Sequence, residues 1–199
     1  MISGVLLAAG QSRRMGSSKQ ALIVGGKSFL RLAAECALAS RLDEVIVVLG
    51  HNAAGLRSGL DNLPVRIVVN ERYDSGQSTS LHAGLAAVDP TAEAVVVLLV
   101  DQPLMDPGVI DTLLDYFHAH GNPVVVPVWH GRRGNPVLFA RELFPELLAT
   151  EGDKGGRDVL RAHANKVGHV PVDTPAVVLD VDTPEDYEQL LRSETSEPS

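Results

Sequence analysis

The side chains best suited to chemistry fall into two groups of opposite charge. Within residues 5–22, VLLAAGQSRRMGSSKQAL, Arg13, Arg14 and Lys19 put three cations into seven residues of a chain with a formal net charge of −8. Gly10 and Gly16 bracket the two arginines, and without a Cβ each lets the backbone turn tightly and approach a ligand. Gln11, Ser12, Ser17 and Ser18 add small or polar hydrogen-bonding groups. A glycine-rich, cationic loop delivered by an apolar run (Val5 to Ala9) is how α/β proteins hold phosphates: backbone N–H groups cradle the oxygens while Arg and Lys neutralise them. These residues predict an anion site for a nucleoside triphosphate. The second group is acidic. Asp101 follows the apolar run AVVVLLV, where a carboxylate needs a partner, and Asp180 and Asp182 lie two residues apart in VVLDVDTPEDY. On a strand that spacing puts both on one side, where like charges repel unless a cation is near.

These groups must be positioned by regular elements, and the apolar patterning supplies them. Strands are predicted at 3–8, 44–49, 65–69 and 94–100, alternating with helices at 28–40, 53–60, 79–88 and 107–119. The run at 94–100 is apolar on both faces and reads as a central strand. Further strands are expected at 123–128, 135–139, 167–170 and 176–181, with helices at 141–149, 156–163 and 184–192. Alternation of this kind implies βαβ units, hence a single-domain, doubly wound, mostly parallel α/β sheet of Rossmann-like type spanning residues 1–192. Residues 193–199 have the polar Ser/Glu/Pro composition of a disordered tail. In such sheets ligands bind beyond the carboxyl ends of the strands, where the cationic loop and Asp101 fall.

Two common phosphate loops are excluded. The dinucleotide fingerprint needs G-x-G-x-x-G and an acidic residue at the end of the second strand, which here reads VVLGH. The Walker pattern is approached at ALIVGGKS, but Ala21 replaces its first glycine. Gly25-Gly26 reads instead as a turn and Ser28 as a helix cap. Composition narrows the function further. A net charge of −8 argues against a nucleic-acid partner, and no apolar run approaches the ~20 residues of a membrane span. The single cysteine, Cys36, excludes an internal disulfide framework and suits the reducing cytoplasm. The seven histidines show no metal-ligand spacing, and no G-x-S-x-G elbow occurs.

The stretch LAAGQSRRMGSSKQ resembles the signature L-A-[AG]-G-x-S-x-R-M-G-x-x-K of the MobA-like nucleotidyltransferases, which attach a nucleoside monophosphate to molybdopterin. That group belongs to the wider superfamily with the nucleotide-diphospho-sugar transferase-like fold. The resemblance implies that Leu7, Ala8, Ala9, Gly10, Ser12, Arg13 and Gly16 bind the nucleotide. It also implies that Arg14 and Lys19 act on the triphosphate and its leaving pyrophosphate, and that Asp101 with Asp182 holds Mg²⁺, Asp180 being the weaker candidate. Magnesium takes one or two carboxylates plus phosphate oxygens and waters, so a sparse protein site is expected.

Three further segments join this picture. In NERYDSGQSTSLHAGL, Ser78 or Thr79 can cap a helix, and the likeness to a family segment adds Gly76, Gln77, Ser78 and Ser80 to the base-and-ribose side. In this segment His82 reads as structural. RRGNPVLF reads as a turn opening a strand, and its likeness to G-[HN]-P-V-x-[FL] assigns Gly134, Asn135 and Pro136 to the acceptor; Arg132 and Arg133 suit either an acceptor phosphate or a plain solvated surface. GDKGGR resembles a stretch of the cytidylyl branch and implies acceptor roles for Asp153 and Arg157; a plain helix start is the alternative for Asp153. Leu7-Ala8-Ala9-Gly10 also matches the cytidylyl rather than the guanylyl form. The implied reaction is Mg²⁺-dependent transfer of CMP from CTP to molybdenum-loaded molybdopterin in the cytoplasm, with a molybdoenzyme or maturation factor as the protein partner. The alternatives are guanylyl transfer from GTP, transfer to another small phosphorylated acceptor, or a non-catalytic nucleotide-binding or chaperone module.

Overall fold

The computed structural model describes residues 1–11, Met15 and residues 18–195. The chain opens with β1 (Ile2–Ala8), followed by the two-residue strands β2 (Ile23–Val24) and β3 (Lys27–Ser28) around the predicted Gly25-Gly26 turn. Next come α1 (Phe29–Ala39), β4 (Glu44–Leu49), α2 (Ala53–Leu56), β5 (Arg66–Val69), α3 (Gln77–Leu85), β6 (Ala94–Leu99) and α4 (Pro107–His120). The second half contributes β7 (Val124–Trp129), β8 (Arg132–Arg133), β9 (Val137–Ala140), α5 (Phe144–Leu148), α6 (Arg157–Ala162), β10 (Val167–Pro171) and α7 (Pro184–Thr195).

The main sheet has the order β10-β7-β9-β6-β1-β4-β5, with β8 paired to β7. Strands β5, β4, β1 and β6 are mutually parallel; β9 runs antiparallel to both its neighbours, and β10 is again parallel to β7. From β1 the chain winds outward through β4 to β5, then returns to the other side of β1 as β6. The strand order therefore reverses at β1, the topological switch point where open α/β sheets leave a crevice at their carboxyl ends. Gly10 and Asp101, which follow β1 and β6, are neighbours there, and Val100 N donates to Leu7 O across the join (3.4 Å).

The period-2 alternation of β1 sorts the core onto two faces. Leu6 and Ala8 pack with Phe29, Leu30, Ile110, Leu113 and Leu190 under α1, α4 and α7. Val5, Leu7 and Ala9 pack with Leu81, Leu85, Leu147 and Val159 under α3, α5 and α6. Helix starts follow the sequence: Ser28 Oγ accepts from Arg31 N (3.2 Å), and Asp106 caps α4 by accepting from Gly108 N (2.6 Å).

Three expectations need correction. Helix α3 begins at Gln77, with Gly76 at its N-cap, and neither Ser78 nor Thr79 caps it; Thr79 Oγ1 donates to the Arg72 and Gly76 carbonyls instead. The strand expected at 176–181 does not form. Pro175–Val178 is a 3-10 turn, and single hydrogen bonds take up the backbone that a ladder would have used. Helix α7 extends through Ser193–Thr195, into the stretch read as a tail; residues 196–199 lie outside the described residues.

Phe29 is fully buried and meets the Tyr187 ring edge-on at 5.9 Å, joining α1 to α7. Phe29→Ala is expected to lower unfolding free energy by about 3–5 kcal/mol in a urea titration, the usual cost of a large aromatic cavity. A loss below about 1 kcal/mol would contradict this packing.

Candidate active site

The site forms where the carboxyl ends of β1 and β6 meet, and two clefts share it. The first, about 370 Å³, is walled by Leu7, Ala9 and Gly10 from the end of β1, by Lys19 and Gln20, and by Tyr73, Asp74, Gly76, Gln77 and Ser80 from the approach to α3. The second, about 550 Å³, lies toward β7 and β9 and is lined by Arg133, Gly134, Asn135, Lys154, Arg157, Asp180 and Asp182 over an apolar floor that includes Val137 and Phe139. Asp101 borders both clefts, as do Leu7, Gln77 and Leu99.

Lys19 stands in the first turn after the cationic loop, in the 3-10 segment Lys19–Ala21. Its ammonium group pairs with Asp182 and lies 3.7 Å from Asp101 Oδ2. The neighbouring Gln20 is buried, and its Nε2 donates to the carbonyls of Ala8 (3.0 Å) and Gly10 (2.8 Å) while its Oε1 accepts from Ser18 Oγ (2.6 Å). One amide thus ties both ends of the loop to β1. Sequence reading did not single out Gln20, because a glutamine beside a signature lysine looks like a surface residue until its burial is known.

Asp101 is about three-quarters buried. Burial, reinforced by the nearby Asp180 carboxylate and opposed by Lys19, pushes its pKa up to about 6. Its Oδ1 is buried, with no hydrogen-bond partner among the described residues. A carboxylate that borders both clefts, with one oxygen unpartnered among the described residues and a second carboxylate across Lys19, fits a hard divalent cation that takes few protein ligands and completes its shell with phosphate and water. Among the described residues no group of three or more His, Cys, Asp or Glu side chains gathers as a protein-built metal cage. The donor set present is the sparse pair Asp101 and Asp182.

Asp180 and Asp182 do not share a strand face, since no strand forms there. Asp182 turns to Lys19, whereas Asp180 Oδ1 accepts from the buried Gln102 Nε2 (2.7 Å). Of the residues predicted for the nucleotide, Leu7, Ala9, Gly10, Gly76, Gln77 and Ser80 line the first cleft. Ala8 packs into the opposite core face, and Ser78 is buried away from the cleft. Ser12, Arg13, Arg14 and Gly16 lie outside the described residues. On the predicted acceptor side, Gly134, Asn135 and Arg157 line the second cleft, while Asp153 lines the first, and Pro136 lies beneath, beside Cys36 and Gln102. A Cβ at Gly134 would collide with the Val177 carbonyl, so only glycine lets these segments touch. Buried Asn70 donates from Nδ2 to Thr79 Oγ1 (2.8 Å) and Ser80 Oγ (3.0 Å), fixing the start of α3. His82 meets the Leu147 carbonyl from Nε2 (3.1 Å), a link between α3 and α5.

Fold and site together define the nucleotidyltransferase class: an open sheet, a cationic loop after its pivotal strand and an acidic group at the neighbouring strand end. Comparison with known proteins agrees. The chain is 34% identical to nicotine blue oxidoreductase of Paenarthrobacter nicotinovorans and 32% identical to the purine catabolism protein PucB of Bacillus subtilis (strain 168), in each case over 96% of both chains. It is 29% identical to a probable molybdenum cofactor guanylyltransferase of Methanosarcina mazei, over 73% of this chain and 66% of that protein. The crystal structure of Rv0371c of Mycobacterium tuberculosis H37Rv in complex with manganese matches with a TM-score of 0.83 and 32% identity, covering 96% of this chain and 98% of that one. The chain belongs to the MobA-like NTP transferase domain family, whose pattern spans residues 4–167. Among the described residues no helix is long and apolar enough to cross a membrane.

The raised pKa of Asp101 has a definite sign. The folded protein holds the Asp101 proton more tightly than the unfolded chain, so this group's stabilising contribution is complete below about pH 3.8 and is lost as pH rises through about 6. Asp101→Asn, measured in chelator without nucleotide, should therefore be roughly 1–3 kcal/mol more stable than wild type at pH 7.5. The difference should shrink toward pH 4. A constant difference across that range in urea titrations would contradict a raised Asp101 pKa.

Proposed function

We propose that this protein is a Mg²⁺-dependent cytidylyltransferase that transfers CMP from CTP to the phosphate of molybdenum-loaded molybdopterin. The observation that carries the reading is the pair of clefts meeting at Asp101: one walled by the glycine loop and Lys19, the other lined by Arg133, Lys154 and Arg157. A transferase must hold a donor and an acceptor in contact, and positioning of this kind supplies much of the rate in phosphoryl chemistry.

In this reading the triphosphate lies along the loop, with Arg14 and Lys19 on its phosphates, Arg13 assisting, and Ser12 and Gly16 in the cradle. Leu7, Ala9, Gly10, Gly76, Gln77 and Ser80 wall the nucleotide. The acceptor phosphate enters from the second cleft past Gly134, Asn135 and Arg157, with Asp153 at the border. An acceptor oxygen attacks the α-phosphorus in line, a new P–O bond forms, the bond to the β-phosphate oxygen breaks, and pyrophosphate leaves. No protein base is needed, because a phosphomonoester is already ionised at neutral pH. A divalent cation on Asp101 and Asp182 would supply charge neutralisation at the phosphates; the manganese in the Rv0371c crystal supports a divalent ion in this family. The choice of CTP rests on Leu7-Ala8-Ala9-Gly10 and on GDKGGR, and the choice of molybdopterin on the signature likeness and the guanylyltransferase relative. The single cysteine suits a reducing compartment, and we place the reaction in the cytoplasm.

A thermal-shift panel of CTP, GTP, ATP and UTP with Mg²⁺ tests the donor. A nucleotide at 100 times its Kd adds about 2.7 kcal/mol of apparent stability, and CTP is expected to lead. Pyrophosphate release with molybdopterin should then fall at least about 100-fold in Asp101→Ala, the scale of losing a principal electrostatic group. Preference for GTP would move the protein to guanylyl transfer. Nucleotide binding without pyrophosphate release, whatever the acceptor, would favour a binding module.

A further inference from the structure

The acidic segment that faces Asp101 has no strand or helix to hold it. Residues 179–183 lie between the 3-10 turn Pro175–Val178 and α7, and their placement depends on a few individual hydrogen bonds. Val181 N donates to the Asp101 carbonyl (2.9 Å), and the Asp186 carboxylate accepts from the Asp182 and Thr183 amides (3.0 and 2.8 Å). Lys19 pairs with the Asp182 carboxylate and Val181 is buried in the core, and a further anchor is Gln102, which is 3% exposed. Its Nε2 donates to Asp180 Oδ1 (2.7 Å) and to the Val177 carbonyl (3.2 Å). The same Val177 carbonyl accepts from Asn135 N (2.8 Å) and occupies the space that a side chain at Gly134 would need. Gln102 therefore joins the end of β6 to the 177–180 stretch at a point also fixed by the turn before β9.

We propose that Gln102 is a positioning residue for the transfer reaction: its buried amide clamps Asp180 and the Val177 carbonyl, and so holds the 177–182 segment with Asp182 facing Asp101. This rests on the nucleotidyl-transfer reading for its kinetic consequence, but the clamp itself is a property of the folded chain. Removing the amide would leave a buried carbonyl short of one donor and free the Asp180 carboxylate from its fixed direction. The first cleft is built from β1, the loop after it and α3, so nucleotide contacts should survive the loss.

The test uses Gln102→Leu, which keeps bulk without donors, and Gln102→Glu, which replaces the donor with an acceptor facing Asp180. Each is combined with Asp180→Ala in a double-mutant cycle. Steady-state pyrophosphate release is measured with CTP and molybdopterin varied separately, and amide hydrogen exchange is followed for peptides covering residues 175–183. The expected result is a kcat at least about tenfold lower in both Gln102 variants, with KM for CTP within about twofold of wild type. Exchange should be faster in 175–183 and unchanged in β1 and β4. Adding Asp180→Ala should cost clearly less than the product of the single losses. Unchanged exchange in 175–183, a multiplicative double loss, or a raised KM for CTP at constant kcat would overturn the proposal. Should wild type release no pyrophosphate, the transferase reading fails; the exchange measurement still decides the clamp, since acceleration confined to 175–183 supports it and no acceleration refutes it.

Discussion

A largely buried lysine ammonium between two carboxylates is the interaction on which this site depends. Lys19 pairs with Asp182 and approaches Asp101, and these three residues come from the first loop, the last irregular segment and the end of β6. Each charge is costly to bury alone, and together they offset much of that cost. The cluster also holds the beginning and end of the chain against the middle of the sheet. Lys19 lies against Asp101 and Asp182, while Asp180 turns to Gln102. Burial first, and the neighbouring Asp180 carboxylate second, raise the pKa of Asp101, and its Oδ1 has no hydrogen-bond partner among the described residues.

Two buried glutamines perform comparable work on either side of this cluster. Gln20 ties the loop after β1 back to the Ala8 and Gly10 carbonyls, and Gln102 ties the end of β6 to the 177–180 stretch. In both cases a neutral, buried amide donates two hydrogen bonds to acceptors on distant segments of the chain. A charged side chain could serve the same acceptors only by adding to an already crowded electrostatic site. The neutral amides hold these segments without adding charge to the cluster.

The placement of the two clefts follows from the winding of the sheet. Because β1 is the switch strand, the loops after β1 and β6 diverge above it and leave a crevice. The antiparallel strand β9 then turns the Gly134–Pro136 segment toward the same end of the sheet, where it meets Val177. The GDKGGR stretch closes the arrangement: Asp153 borders the first cleft, while Lys154 and Arg157 reach the second. The two clefts thus share one wall, and the shared wall contains Asp101.

The sequence by itself determined the elements whose signals are local. The apolar runs of β1, β4 and β6, the Gly25-Gly26 turn and the caps at Ser28 and Asp106 all follow from short-range sterics, periodicity and hydrogen bonding, which neighbouring residues suffice to specify. The position of Asp101 at the end of β6 was legible for the same reason, since it follows directly from the apolar run before it. Only the tertiary structure decided what depends on partners far along the chain. Residues 176–181 have the composition of a strand, yet their carbonyls and amides are claimed by Asn135, Gln102 and Asp101, so no ladder forms. Asp180 and Asp182 were therefore given different partners, although their spacing suggested a common face. The burial of Gln20 and Gln102 was equally invisible, because a glutamine's role is set by which acceptors the fold brings to it, and those acceptors lie on backbone segments whose proximity no local pattern encodes.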